Sequence, residues 1–257
     1  MKNKICKNGD AECNAFLKCL KVWNDSYNIR KKKWMDYIGD DLNVIMKKED
    51  DNFVGMIQYV PIEYGFAEGK NMYFIQCIWV NGYDEAFGSK QRKGYGTELL
   101  NKAIEDVKDK GADAIVAWTF KNDDWLPASW YERQGFELID TELDYELLWM
   151  PFKKVEPPKL IRRKTFPKYK KPTVSLFVNG WCQSCNKLHD IALGIAKEYG
   201  DKIDIIEYDT TDREVFMKYG IMDGIFVNDK EIIFMGNPID SDLRTEINNL
   251  LEKYIVS

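Results

Sequence analysis

The stretch from Val155 to Pro172 (Val-Glu-Pro-Pro-Lys-Leu-Ile-Arg-Arg-Lys-Thr-Phe-Pro-Lys-Tyr-Lys-Lys-Pro) sets the first constraint on this chain. Proline fixes φ and removes an amide donor, so a run this rich in proline is neither a helix interior nor a central strand. Its many basic side chains suit an extended, solvated connector better than a nucleic-acid contact. The chain is thereby divided into a region 1–154, a connector 155–172 and a smaller region 173–257. Two domains also suit the length, because domains usually hold about 100–200 residues.

Hydrophobic residues make up 45% of the chain and aromatic residues 14%, enough for packed cores. The net charge is −5, with 37 basic residues interspersed among 42 acidic ones. That balance gives no electrostatic support for a nucleic-acid or membrane-surface partner. No apolar run approaches the roughly 20 residues of a bilayer span, and no signal-peptide stretch follows Met1. A cytoplasmic protein is expected. In a reducing compartment the six cysteines are thiols, metal ligands or redox pairs rather than a disulfide framework.

In the first region, Cys13–Asp25 and Arg30–Ile38 have helical apolar spacing. Strands are expected at Asn43–Met46, Phe53–Val60 and Met72–Val80, the first two joined by a polar hairpin turn. Thr97–Lys110 reads as an amphipathic helix with Leu99, Leu100, Ala103, Ile104 and Val107 on one side, closed by Gly111. A strand at Ala114–Phe120, a short helix from Pro127 to Gln134 and strands at Phe136–Asp140 and Tyr145–Phe152 follow. The second region reads β-α-β-α-β-β-α: Thr173–Val178, Cys182–Tyr199, Ile203–Tyr208, Asp212–Tyr219, Gly224–Asn228, Glu231–Met235 and Ser241–Ile255.

Gln91-Arg92-Lys93-Gly94-Tyr95-Gly96-Thr97 lies between a strand and the amphipathic helix. A helix N-terminus presents unpaired amides and the positive end of the macrodipole, which suit a pyrophosphate. The alternate glycines let the backbone approach an anion, and Arg92 and Lys93 add charge. No Gly-Lys-Ser/Thr follows, so a P-loop is excluded, and the third glycine of a dinucleotide turn is missing. Taken alone, the pattern is also compatible with an ordinary glycine-softened cap.

The hexapeptide Gln91–Gly96 matches the Q/R-x-x-G-x-G/A signature of the Gcn5-related N-acetyltransferase (GNAT) family. The element order from Asn43 to Phe152 and the segment Tyr131-Glu132-Arg133-Gln134-Gly135-Phe136 resemble the same family. The resemblance implies an α/β (α+β) fold with a mixed central sheet, acetyl-CoA as donor and a small-molecule or peptide amine as acceptor. It further implies that the amides of the Gln91–Thr97 turn (Gln91, Arg92, Lys93, Gly94, Tyr95, Gly96, Thr97) hold the CoA pyrophosphate. Ile78, Trp79 and Val80 would pair with the pantetheine arm, with Asn122 just after the next strand. Tyr131 would protonate the departing thiolate; its plainer reading is a half-buried helix residue.

Transfer to an amine requires a neutral amine, hence a base or a water relay. Phe74–Val80 carries no carboxylate, and Glu63, Asp84 and Glu85 read as loop residues, so the base stays unassigned. Cys77 reads as a structural thiol rather than an acyl acceptor. A homodimer is left open.

Trp181-Cys182-Gln183-Ser184-Cys185 follows a strand and opens a helix. The first cysteine of such a pair lies at the helix N-terminus, where thiolate is favoured, and the second is one turn on. Strand, Cys-x-x-Cys and helix within this element order resemble thioredoxin, implying a smaller thioredoxin-like α/β domain with Cys182 and Cys185 as a redox pair. Gly220–Phe226 lacks the cis-proline that thioredoxins carry there, which puts general disulfide reduction in doubt and leaves a thiol-, metal- or partner-sensing role open. Two thiols would need further ligands to hold a metal, and none is assigned. His189 reads as a helix-surface histidine, and Cys6, Cys13 and Cys19 as mobile or core thiols. The whole architecture is similar to the YoaP-like acetyltransferase group. An alternative reading makes the chain a thiol-disulfide oxidoreductase or thiol/metal-binding protein carrying a non-catalytic CoA-binding module.

Overall fold

A computed structural model describes residues 3–6, 25–50, 52–82, 88–121, 127–164, 166–232 and 240–255. In chain order the elements are β1 (Asn3–Cys6), α1 (Asp25–Ile38), β2 (Asn43–Glu49), β3 (Asn52–Pro61), β4 (Ala67–Glu68), β5 (Met72–Val80), α2 (Tyr95–Asp109), β6 (Ala114–Phe120), α3 (Ala128–Arg133), β7 (Glu137–Glu142), β8 (Tyr145–Pro151) and β9 (Lys159–Leu160). They continue with β10 (Thr173–Val178), α4 (Gln183–Lys197), β11 (Asp204–Asp209), α5 (Arg213–Tyr219), β12 (Gly224–Val227), β13 (Lys230–Ile232) and α6 (Asp240–Ile255). Chain contacts separate two compact units: Met1–Lys21 with Ile38–Ile161, and Val22–Tyr37 with Arg162–Ser257. Among the described residues no helix is long and apolar enough to cross a membrane.

The first unit is built on a seven-stranded sheet of order β1-β2-β3-β5-β6-β8-β7. Every neighbouring pair is antiparallel except β5 and β6, which run parallel. A parallel pair needs a crossover, and α2 supplies it. The five apolar residues expected on its inner face, Leu99, Leu100, Ala103, Ile104 and Val107, are all buried. They pack on Ile57, Tyr59, Ile75, Ile115 and Leu148 of the sheet. Gly111, at φ +79°, takes the left-handed backbone that ends such a helix. The connector does not stay bare: β9 pairs with β4 through Leu160 opposite Ala67, and Leu160 and Ile161 are buried.

The second unit has a four-stranded sheet of order β11-β10-β12-β13, parallel between β10 and β11 and antiparallel elsewhere. Alternation along the strands divides its core. Val174, Leu176, Ile225 and Val227 face α4 and α6, meeting Ala192, Ile195, Leu243, Ile247 and Leu251. Phe177 and Phe226 point the other way, against Tyr219 and Ile221. Helix α1, expected within region 1–154, groups up to Tyr37 with these elements. Its Arg30 guanidinium reaches Asp190 on α4 (3.2 Å) and Glu207 on β11 (3.0 Å).

Candidate functional site

In the first unit the ladder between β5 and β6 runs only through Met72–Ala114, Tyr73–Ile115 and Phe74–Val116. Beyond Phe74 the two strands part. On its other side β5 stays paired with β3 as far as Val80, opposite Gly55, with a bulge that leaves Gln76 outside the register. A bulge bends a strand and increases its twist, which carries Ile75–Val80 away from β6. The Trp118 indole N–H, donating to the Gln76 carbonyl at 3.1 Å, spans the opening. Ile78, Trp79 and Val80 therefore form one wall of a gap in the middle of the sheet.

The turn Gln91–Gly94 is exposed and leads into the first residue of α2, Tyr95. Arg92 (φ +60°) and Gly94 (φ +78°) both adopt left-handed backbone, and a Cβ on Gly94 would meet nothing within 4 Å. Glycine is required there by conformation, not by space. The first intrahelical bond runs from the Glu98 amide to the Gly94 carbonyl at 3.0 Å, so the amides of the preceding first-turn residues are left for an anion.

Glu49, at the end of β2, braces this turn and was not singled out in the sequence. Its carboxylate pairs with Lys90, lies 3.5 Å from Lys93 and accepts the Tyr95 hydroxyl at 2.5 Å. The bonds from Lys90 and then Tyr95 hold it well below the ordinary carboxylate range, at about 2. Lys93 is thus partly neutralised, and its charge is not all available to a ligand.

Tyr131, from α3, is 2% exposed and belongs to the core cluster that also holds Ile78, Ala117 and Leu148. It is more enclosed than the half-buried helix residue of the plainer reading. Burial first, and then Cys77, raise its phenol above the usual value, so it stays protonated at neutral pH. Cys77 is half-buried, and Glu63 is an exposed residue of a short turn. Asn122, Asp84, Glu85, Cys13 and Cys19 lie outside the described residues; Cys6 lies in β1.

In the second unit Cys182 is the N-cap of α4, with extended backbone. Its thiol is brought down to about 7 by the hydrogen bond from Cys185 first, helped by the amides of Cys185 and Ser184 and by Lys31, against the cost of burial. Cys185 moves the other way, raised by its bond to Cys182 and by burial. Both keep part of their surface open to solvent.

His189 is not on the helix surface as its position suggested. It is 1% exposed, with Nε2 3.3 Å from Asp223 Oδ1. Burial, then Arg30, press its imidazole down to about 3. Burial and then the Cys182 charge raise Asp223 well above its usual value, so the pair is held in its uncharged form. Asp223 also bonds to the Cys185 thiol and stands in the stretch where the resemblance anticipated a proline. Among the described residues no group of three or more His, Cys, Asp or Glu is arranged to hold a metal ion.

A mixed sheet that opens between its two parallel strands, beside a left-handed turn feeding a helix N-terminus, is the arrangement that the resemblance to the GNAT fold anticipated. Residues 10–136 match the model of the Acetyltransferase (GNAT) family, and the mixed sheet of the first unit has the α/β arrangement of that fold. Members of that family use acetyl-CoA. The chain is 28% identical to the uncharacterized N-acetyltransferase YoaP of Bacillus subtilis over 121 residues, which cover 45% of each protein. It is 27% identical over 124 residues to an uncharacterized N-acetyltransferase of Methanocaldococcus jannaschii, covering 44% of this chain and 50% of the relative. The chain thus spans about half the length of the curated relatives it matches. Among solved structures, the coenzyme A complex of the PaiA N-acetyltransferase from Thermoplasma acidophilum aligns with 59% of this chain and 100% of its own, at 14% identity and a TM-score of 0.43.

Proposed function

We propose that the chain moves an acetyl group from acetyl-CoA to the nitrogen of a small-molecule or peptide amine. The observation that carries this reading is the gap beyond Phe74, bordered by Ile78–Val80 and lying next to the buried Tyr131. The Arg92–Thr97 backbone would hold the pyrophosphate at the α2 N-terminus, and the open edge of β5 would pair with the pantetheine amides. The neutral amine would attack the thioester carbonyl, the C–S bond would break as Tyr131 gives its proton to the departing sulfur, and the surplus proton on the acylated nitrogen would pass through water to restore the phenol.

Calorimetric titration with acetyl-CoA tests this. Wild type should bind, Gly94→Glu should lose at least tenfold in affinity through backbone strain and a misplaced charge, and Tyr131→Phe should bind normally while transfer to a model amine slows roughly hundredfold. Binding unaffected by Gly94→Glu would sink the reading.

A second reading belongs to the other unit, and the place of Cys182 at the N-cap of α4, with Cys185 one turn on, favours it. The β-α-β-α-β-β-α order supports a thioredoxin-like domain, with Cys182 and Cys185 exchanging with a disulfide. Cys182 thiolate attacks one sulfur of the substrate disulfide and releases the other as thiolate. Cys185 then loses its proton and attacks Cys182, freeing the second substrate thiol. The protein is left as the Cys182–Cys185 disulfide, to be restored by an external dithiol.

A further inference from the structure

Helix α1 enters the chain before nearly all of the first unit, yet it packs against the thiol loop. Lys31 is 1% exposed; its ammonium donates to the carbonyl of Trp181, the residue before Cys182, and stands 4.7 Å from the centre of the Trp34 ring. The approach is close enough that a Cβ on Gly180 would come within 2.8 Å of the Arg30 carbonyl oxygen, and Gly180 itself has φ +92°. Arg30 fixes the helix to α4 and β11, and Lys33 adds a 2.7 Å contact with Asp209.

We propose that α1 is a working part of the thiol centre, with Lys31 as the positioning residue that holds Cys182 as the attacking thiolate. The inference rests on the thiol-exchange reading. An ammonium withdrawn from water costs several kcal/mol unless opposite charge or good acceptors meet it. A carbonyl oxygen and an aromatic face are among the groups that meet it. A thiolate on the next residue supplies a full opposite charge, so the buried cation and the ionised sulfur stabilise each other. The other groups around the sulfur act differently: the Cys185 thiol and the α4 amides help, Asp223 and His189 are held uncharged, and Arg30 is engaged by Asp190 and Glu207. Among the described residues, Lys31 is the positive side chain that acts on Cys182. A thiol centre of this kind cannot be completed from 162–257 alone.

The test is the pH dependence of iodoacetamide labelling at Cys182 in the reduced full-length protein, read by peptide mass spectrometry. Wild type should show a midpoint near its value of about 7. Lys31→Gln keeps a donor for the Trp181 carbonyl but removes the charge; its midpoint should rise by roughly one unit, a tenfold slower labelling below the midpoint. Lys31→Arg should return toward wild type. A folded Lys31→Gln protein with an unmoved midpoint overturns the inference. If Lys31→Gln does not fold, the wild-type Lys31 side-chain NMR resonances decide: they should shift with the Cys182 midpoint and not do so in Cys182→Ser, and resonances indifferent to Cys182 overturn it. The same samples, oxidised with excess glutathione disulfide, separate the two failures. No reversible disulfide sinks the exchange reading while the Lys31 dependence stands; a reversible disulfide with a midpoint indifferent to residue 31 sinks the inference.

Discussion

His189 and Asp223 carry opposite pH signatures. The folded imidazole is pressed down to about 3 by burial first, while an unfolded histidine titrates near ~6.5. Its stabilising contribution is therefore present above ~6.5 and is lost as pH falls from there toward 3. Asp223 is raised by burial, so its contribution is full below ~3.9 and is lost as pH rises through its folded value. His189→Gln removes the first titration. In urea unfolding under reducing conditions, the second unit of the variant should lose less stability between about pH 7 and pH 5 than wild type, by up to roughly 1.4 kcal/mol per unit. Equal losses would mean that the imidazole is charged in the folded protein.

Residues of this kind were legible to unequal degrees. The turn Gln91–Gly96 and the pair Cys182–Cys185 announce themselves because their chemistry depends on local spacing and a helix N-terminus. Lys31 left a signal that went unread: with Trp34, Met35 and Ile38 it forms an i, i+3, i+4, i+7 stripe, and all four are buried. A lysine on the inward face of a helix is a question about its partner. Glu49 and the Asp223–His189 contact left no such signal, because their partners lie far away in the chain.

Among the elements, β5, β6 and β10 fall on the residues that apolar runs mark, since buried central strands are written as continuous hydrophobic stretches. The two-residue strands β4 and β9 have no pattern long enough to read. The gap beyond Phe74 is likewise invisible in sequence, because it arises from a bulge in the β3–β5 register and not from any residue of β6. At this scale the approach of α1 to the thiol loop has a sharp mechanical test. Gly180→Ala adds a Cβ 2.8 Å from the Arg30 carbonyl at a backbone angle unfavourable to alanine. It should destabilise the second unit by about 2–4 kcal/mol, measured by denaturant unfolding of the reduced protein. A loss below about 0.5 kcal/mol would show that α1 does not pack there in solution.

For the whole molecule, the division into units makes a claim about cooperativity. If α1 belongs to the second unit, its amides open with that unit. In native-state hydrogen exchange across a denaturant series, Arg30–Met35 should merge with the amides of α4 and not with those of α2. Exchange of α1 in step with α2 would reassign the helix. The assignment was hidden in the sequence because chain order invites a cut at the proline-rich segment, and a single cut cannot describe a unit made of two separated pieces.

That interruption matters on the ribosome. Lys31 and Trp34 of α1 emerge early, yet the Gly180–Trp181 loop they meet follows only after the chain has passed Ile161. At roughly 5–20 residues per second the helix waits on the order of ten seconds with that contact unmade. The intervening segment can collapse around its own sheet in that time. During synthesis the thiol loop is therefore met by a helix made long before it, and a nascent chain arrested before Cys185 should leave α1 open to protease or chaperone.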